Sequence, residues 1–150
     1  MNACASSCDC ANDPTVKPIA DTGLVVALLG GDDPAHRWAL EAFRQNAPFY
    51  TCDLVVGEAA SFFPTPEPVL QLLVRGDLIL DPDFCLAQEL DRILALTAKY
   101  ADRPMDLADA CLVRMSELAA GCRIWTVDRS DFSTYRRHGR QAIPCEFPPA

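Results

Sequence analysis

The sequence predicts a three-layer α/β/α sandwich built on a parallel sheet of short strands. Two observations carry that expectation. Short apolar stretches alternate with longer segments of helical periodicity, the pattern of strand–helix–strand units. Glycines and prolines sit at the boundaries between them, and no internal repeat or low-complexity core segment interrupts the alternation.

The folded part begins with Val16 to Ala20, a short apolar strand bounded by prolines and ending at Asp21. Thr22 to Leu29 reads as a helix stopped by Gly30 and Gly31. Asp33 is placed to cap a second helix with Pro34 in its first turn and Trp38, Leu40, Ala42 and Phe43 on its apolar face. Phe49 to Thr51 is the next strand, and Asp53 is expected to cap a helix from Leu54 to Phe63. After Pro64, Pro66 and Pro68, helix resumes over Val69 to Val74 and closes at Gly76. Leu78 to Leu80 is a third strand, and Cys85 to Tyr100 reads as one long helix. Pro104 forces a boundary before a helix from Asp106 to Ala120, closed by Gly121. Cys122 to Val127 is a fourth strand ending at Asp128, and Ala142 to Phe147 a fifth.

A chain of 150 residues is the size of one domain and long enough to bury a core. Half of it is hydrophobic and 23% charged, an ordinary globular balance. The longest apolar run, around Gly23 to Leu29, is too short to cross a bilayer, and no signal-peptide pattern opens the chain. A cytoplasmic location is therefore the expectation. Residues 1–16 read as a disordered extension carrying Cys4, Cys8 and Cys10, with no paired Cys or His pattern to complete a zinc site; residues 17–150 form the domain. Cys52, Cys85, Cys111, Cys122 and Cys145 stand singly among apolar neighbours, as reduced core residues do.

A net charge of −8 argues against a nucleic-acid partner at first sight. Setting aside four carboxylates that bind cations brings it to −4, and the bound ions would invert the local field. Arg123, Arg129, Arg136, Arg137 and Arg140 crowd the last third, either as a basic rim to an acidic pit or as an ordinary solvated surface.

In open α/β sheets, sites form beyond the carboxyl ends of strands. Asp21 and Asp128 each follow an apolar strand directly and so emerge at one edge. Glu58 lies in the apolar segment Leu54 to Ala60, where an isolated carboxylate would need a partner, a proton or a metal. Asp109 lies between Ala108 and Ala110, although an acid in a first helical turn below an Asp106 cap has its own explanation in capping. At roughly 4 Å and an effective dielectric of about 20, each like-charged pair would cost on the order of 4 kcal/mol. Convergence of these four acids therefore calls for a cation. All-oxygen ligands select Mg²⁺ or Mn²⁺, ions suited to displacement at phosphate.

Four segments carry a resemblance: Ile19-Ala20-Asp21-Thr22-Gly23-Leu24, Val56-Gly57-Glu58-Ala59, Met105-Asp106-Leu107-Ala108-Asp109-Ala110, and Thr126-Val127-Asp128-Arg129-Ser130-Asp131-Phe132. Together they resemble the PIN domain, in particular the VapC-type toxin ribonucleases of toxin–antitoxin pairs, over residues 18 to 145. The resemblance implies a PIN-like sandwich that binds Mg²⁺ or Mn²⁺ and cleaves RNA, commonly as a homodimer restrained by a cognate antitoxin. It implies metal-binding roles for Asp21, Glu58, Asp109 and Asp128. It also implies orienting roles for Thr22 and Thr126, an accessory role for Asp131, and a neighbouring one for Asp106. The Cys-containing extension departs from that pattern.

Other readings compete with this one. Asp21-Thr22-Gly23 is also the aspartic-protease tripeptide, but it opens a helix in a helix-rich chain, whereas those enzymes are all-β and need two such motifs. A non-catalytic PIN-like module would have lost acids, and all four positions are filled. A PIN-like nuclease acting on other nucleic acid stays open, because no RNA-binding aromatic motif is present. Trp38 and Trp125 read as packing residues, and His36 and His138 as surface residues.

Overall fold

In the computed structural model, residues 14–150 are described. Most of the expected extension, with Cys4, Cys8 and Cys10, lies outside them. β1 (Lys17–Ala20), β2 (Phe49–Thr51), β3 (Leu78–Leu80), β4 (Cys122–Trp125) and β7 (Cys145–Glu146) form an all-parallel sheet ordered β3-β2-β1-β4-β7. The helices are α1 (Thr22–Leu29), α2 (His36–Asn46), α3 (Asp53–Ala60), α4 (Glu67–Arg75), α5 (Leu90–Lys99), α6 (Leu107–Leu118) and α7 (Arg129–Thr134). β5 (Arg136–Arg137) and β6 (Gln141–Ala142) make a separate antiparallel hairpin.

Strand alternation sorts the core into two layers. Ile19 and Ile124, paired across β1 and β4, face a cluster built from α5, α6 and the Phe132 and Tyr135 rings. Their neighbours Ala20 and Trp125 face the opposite cluster, where α1, α2 and α4 pack with Phe49 and Leu78. Helix α3 bridges the layers, sending Val55 into one and Ala59 into the other. The expected three-layer α/β/α sandwich is the observed fold. Along the sheet the chain runs from β1 outward to β2 and β3, then returns to place β4 on β1's other side. The order therefore reverses between β1 and β4, and the crevice beyond their carboxyl ends is where such folds bind ligands.

Several local expectations are corrected. The strand expected over Cys122 to Val127 ends at Trp125, leaving Val127 exposed in the connection to α7. Cys52, not Asp53, occupies the cap position of α3, and no side-chain cap bond forms there. The Asp33 carboxylate accepts from the Ala35 N–H at 2.8 Å, so helix starts only at His36, beyond the Asp33-Pro34 turn. Leu40 is exposed, because α2 turns Ala39, Ala42 and Phe43 to the core and Trp38 packs at its edge. His36 is half-buried, its Nδ1 2.7 Å from the Ala27 carbonyl oxygen.

The helix expected over Cys85 to Tyr100 is a short 3₁₀ turn at Leu86–Gln88 followed by α5. Leu86 packs from this turn on the same core cluster as Ile93 and Leu96, and the Glu89 carboxylate accepts from Arg114 Nε at 2.6 Å. Pro144, which has no N–H, divides the expected fifth strand: Ala142 joins the hairpin and Cys145 joins the sheet. Cys85 is exposed rather than buried. It and the other four cysteines among the described residues are free.

Candidate active site

Asp21 is the first residue past β1 and caps α1. Its Oδ1 accepts from the Thr22 N–H and its Oδ2 from the Thr126 hydroxyl, both at 2.6 Å. The Thr126 oxygen in turn accepts the Asp128 N–H at 3.0 Å. Asp128 caps α7 by accepting the Asp131 N–H at 2.9 Å. One hydrogen-bonded chain thus joins the ends of β1 and β4, as their parallel pairing up to Ala20 and Trp125 requires. Close approach depends on Gly23, where a Cβ would lie 2.3 Å from Val127 Cγ2.

From the other side, α6 delivers Asp109. Asp106 caps that helix by accepting the Asp109 N–H at 2.7 Å, and the buried Tyr135 donates its hydroxyl to Asp109 Oδ2 at 3.0 Å. All four expected acids, with Asp106, Asp131 and Asp33, line one cavity of about 310 Å³. Thr22, Gly23, Val26, Phe62 and Val127 complete its wall, and no Lys or Arg lines it.

Exposure within this pit is uneven. Asp21 is buried, Asp109 and Asp128 are half-buried, and Glu58 is exposed. The expectation that Glu58 sits desolvated among apolar neighbours is corrected: Val55 and Ala59 take the buried face of α3, and Glu58 takes the face toward the pit and water. Burial pushes the pKa of Asp21 up to about 6; Glu58 and Asp106 add to this, and the Thr126 and Thr22 hydrogen bonds oppose it. Burial again leads for Asp109, pushed up to about 7, followed by repulsion from Asp106, Asp21 and Asp128 and opposed by the Tyr135 bond. Partial desolvation and Asp106 raise Glu58, which the Thr22 hydroxyl tempers.

Does this donor set fit a hard divalent cation? Every side-chain donor facing the cavity is oxygen, the acids raise one another's pKa values, and the buried Thr22 hydroxyl meets no partner at full hydrogen-bond geometry. Among the described residues no three acids are gathered tightly enough to form a ready-made cage. Mg²⁺ does not need one, since it keeps several waters and takes one or two carboxylates directly. The residues fit such an ion bound in part through water.

Sequence reasoning missed several members of the site. Asp33 reads along the chain only as a helix cap. Tyr135 reaches Asp109 from 26 positions away, and only its i, i+3 spacing from the core residue Phe132 hints at an inward side chain. Arg103 places its guanidinium on Asp131 Oδ1, with Nη2 2.7 Å away, and also on Ser130 and Thr134; no local pattern marks it. None of the arginines of the last third lines the pit. Arg123 pairs with Glu146, and Arg129 lies 4.6 Å over the Phe147 ring.

Fold and site together define an α/β/α domain of PIN-like architecture with a carboxylate pit at its topological switch point. No family model matches the chain, and no curated protein matches it by sequence. Among solved structures it is similar to VapC20 of Mycobacterium tuberculosis, described as a sarcin-ricin loop cleaving toxin. The TM-score is 0.65, covering 75% of this chain and 91% of that one at 14% identity. At that identity, what the two share is the fold.

Proposed function

We propose that this protein is a Mg²⁺- or Mn²⁺-dependent endoribonuclease, acting as the toxin of a toxin–antitoxin pair. The observation that carries the reading is the single cavity in which Asp21, Glu58, Asp109 and Asp128 face one another with no basic side chain among them. Carboxylates repelling one another at a switch-point crevice are a costly arrangement unless cations compensate it. The likeness in fold to a toxin that cleaves an RNA loop supports the choice of RNA as substrate. A cognate antitoxin, a homodimeric assembly and a cytoplasmic location belong to the same reading. No helix among the described residues is long and apolar enough to cross a membrane.

Asp21, Glu58, Asp109 and Asp128 would hold the metal. When bound, it supplies an activated water and offsets charge on the phosphate. Thr126 keeps both Asp21 and the Asp128 backbone in place, and Thr22 adds a hydroxyl beside Glu58. Tyr135 fixes one Asp109 oxygen, leaving the other for the pit. Asp106 holds the start of α6, the Asp131 carboxylate holds Arg103, and Val26, Phe62 and Val127 form the apolar part of the wall.

Purified protein freed of any bound antitoxin should cut RNA internally with Mg²⁺ or Mn²⁺ and stop with EDTA. A ribosomal-RNA loop is a reasonable first substrate. Asp21→Asn should lower cleavage by at least a hundredfold, on the order of 3 kcal/mol of barrier, with the fold intact by circular dichroism. Cleavage by that variant at the parent's rate would refute the assignment. A small neighbouring reading frame whose product copurifies with the chain and silences it would support the toxin role; full activity in its presence would argue for a solitary nuclease.

A further inference from the structure

Six of the thirteen Lys and Arg residues form ion pairs with carboxylates among the described residues. Five of the other seven, Arg92, Lys99, Arg136, Arg137 and Arg140, collect around the β5–β6 hairpin and the facing side of α5. In a chain of net charge −8 that clustering is unexpected by composition. The hairpin reads Arg136-Arg137-His138-Gly139-Arg140, and its turn is set by left-handed backbone at His138 and Gly139, with φ of 51° and 78°.

Three of these cations are held by neutral groups rather than by carboxylates. Arg136 Nη1 donates to the carbonyls of Ser133 and Tyr135 at 2.8 and 2.9 Å. Arg137 Nη1 donates to the Ser116 carbonyl at 3.1 Å, and Lys99 Nζ to the Gly139 carbonyl at 2.9 Å. Arg92 and Arg140 are exposed. Between α5 and the hairpin lies a groove of about 440 Å³, lined by Arg92, Lys99 and His138. Glu117 is the acid in that groove; it is mostly buried and is engaged by Arg114 and by the His138 N–H at 2.7 Å.

The patch lies along the same helix as the pit. Asp109 sits in the first turn of α6 and Glu117 in its last, about 12 Å apart at ~1.5 Å rise per residue. A strand seated in the groove would therefore bring phosphates a few nucleotides away to the acids.

We propose that this basic groove binds the phosphate backbone of the RNA substrate outside the scissile position, as an electrostatic dock for a polyanion that the acidic pit by itself repels. The inference rests on the ribonuclease reading and adds the surface through which substrate is held. Phosphate contacts of this kind position a strand without reading its sequence. Steering by a local patch also compensates an unfavourable net charge.

The test is the double variant Arg92→Ala/Arg140→Ala, which removes two exposed cations whose guanidinium groups hold no neighbouring element in place. Its affinity for a fluorescein-labelled single-stranded RNA, with Ca²⁺ in place of Mg²⁺, should fall about tenfold. The slope of log affinity against log salt should shrink by roughly 0.7 for each phosphate that is no longer neutralised. Cleavage of a dinucleotide too short to reach the groove should keep the parent's kcat. Equal affinity and slope in variant and parent would overturn the dock and leave the nuclease standing. A parent that neither binds nor cuts the oligonucleotide would overturn the ribonuclease reading, and the dock with it.

Discussion

The Thr126 side chain ties together two acids of the pit. It donates to Asp21 and accepts from the Asp128 backbone, so one hydroxyl sets the spacing of two acids carried by adjacent strands. A hydrogen bond to an ionised carboxylate at 2.6 Å in a buried setting favours the charged form that a cation needs. Thr126→Val keeps shape and removes both bonds. It is expected to weaken Mn²⁺ binding by about 10- to 100-fold, read by calorimetry, with Thr126→Ser restoring most of the loss. Parent-like Mn²⁺ affinity in the valine variant would show that the hydroxyl is a packing feature only. Tyr135 plays a comparable part for Asp109, and burial together with that acid pushes its own pKa upward.

Among elements, the juncture that matters most is α1 against the β4–α7 connection. Gly23 lets the two approach, since any side chain would enter Val127. Gly23→Ala should therefore cost about 1–3 kcal/mol in urea unfolding, the usual range for forcing a methyl into a filled space. Adding Val127→Ala should recover most of it, because Val127 is partly exposed and its side chain is the obstacle. A Gly23→Ala protein as stable as its parent would mean that α1 shifts freely. The same juncture holds Asp21 and Asp128, so the double variant also asks whether the proposed nuclease activity survives a small change in their spacing.

At the scale of the molecule, the pit couples protonation to stability. Asp21 and Asp109 have pKa values of about 6 and about 7 against an ordinary 3.8, so across this range the folded state binds more protons than the unfolded one. Their contribution is complete below the unfolded carboxylate value and is lost as pH rises through about 6 and 7. Without metal, the melting temperature should therefore decline between about pH 4 and 7 and level off above that. Saturating Mn²⁺ should raise it more at the upper end, because the ion favours the ionised acids. Scanning calorimetry in EDTA and in Mn²⁺ checks this; a Mn²⁺ gain no larger at pH ~8 than at pH ~5 would count against metal binding by these carboxylates.

Much of this protein can be read from local pattern. Apolar runs that end in Asp21 and near Asp128 mark strand ends, and Asp106 three residues before Asp109 marks a helix start. Both hold because backbone geometry and hydrogen-bond supply act over a few residues. Other features depend on distant neighbours. Leu40 faces water, Glu89 interrupts a helical run to meet Arg114, and Glu58 is exposed rather than buried, each decided by what packs opposite. Arg103 reaches Asp131 and Tyr135 reaches Asp109 across 28 and 26 positions. By itself the sequence determined the α/β alternation and which acids stand at element ends. Only the tertiary structure decided that those acids share one cavity and that cations without an acid partner gather at the far end of α6. Periodicity is a property of a few consecutive residues, whereas convergence follows from the order of strands in the sheet.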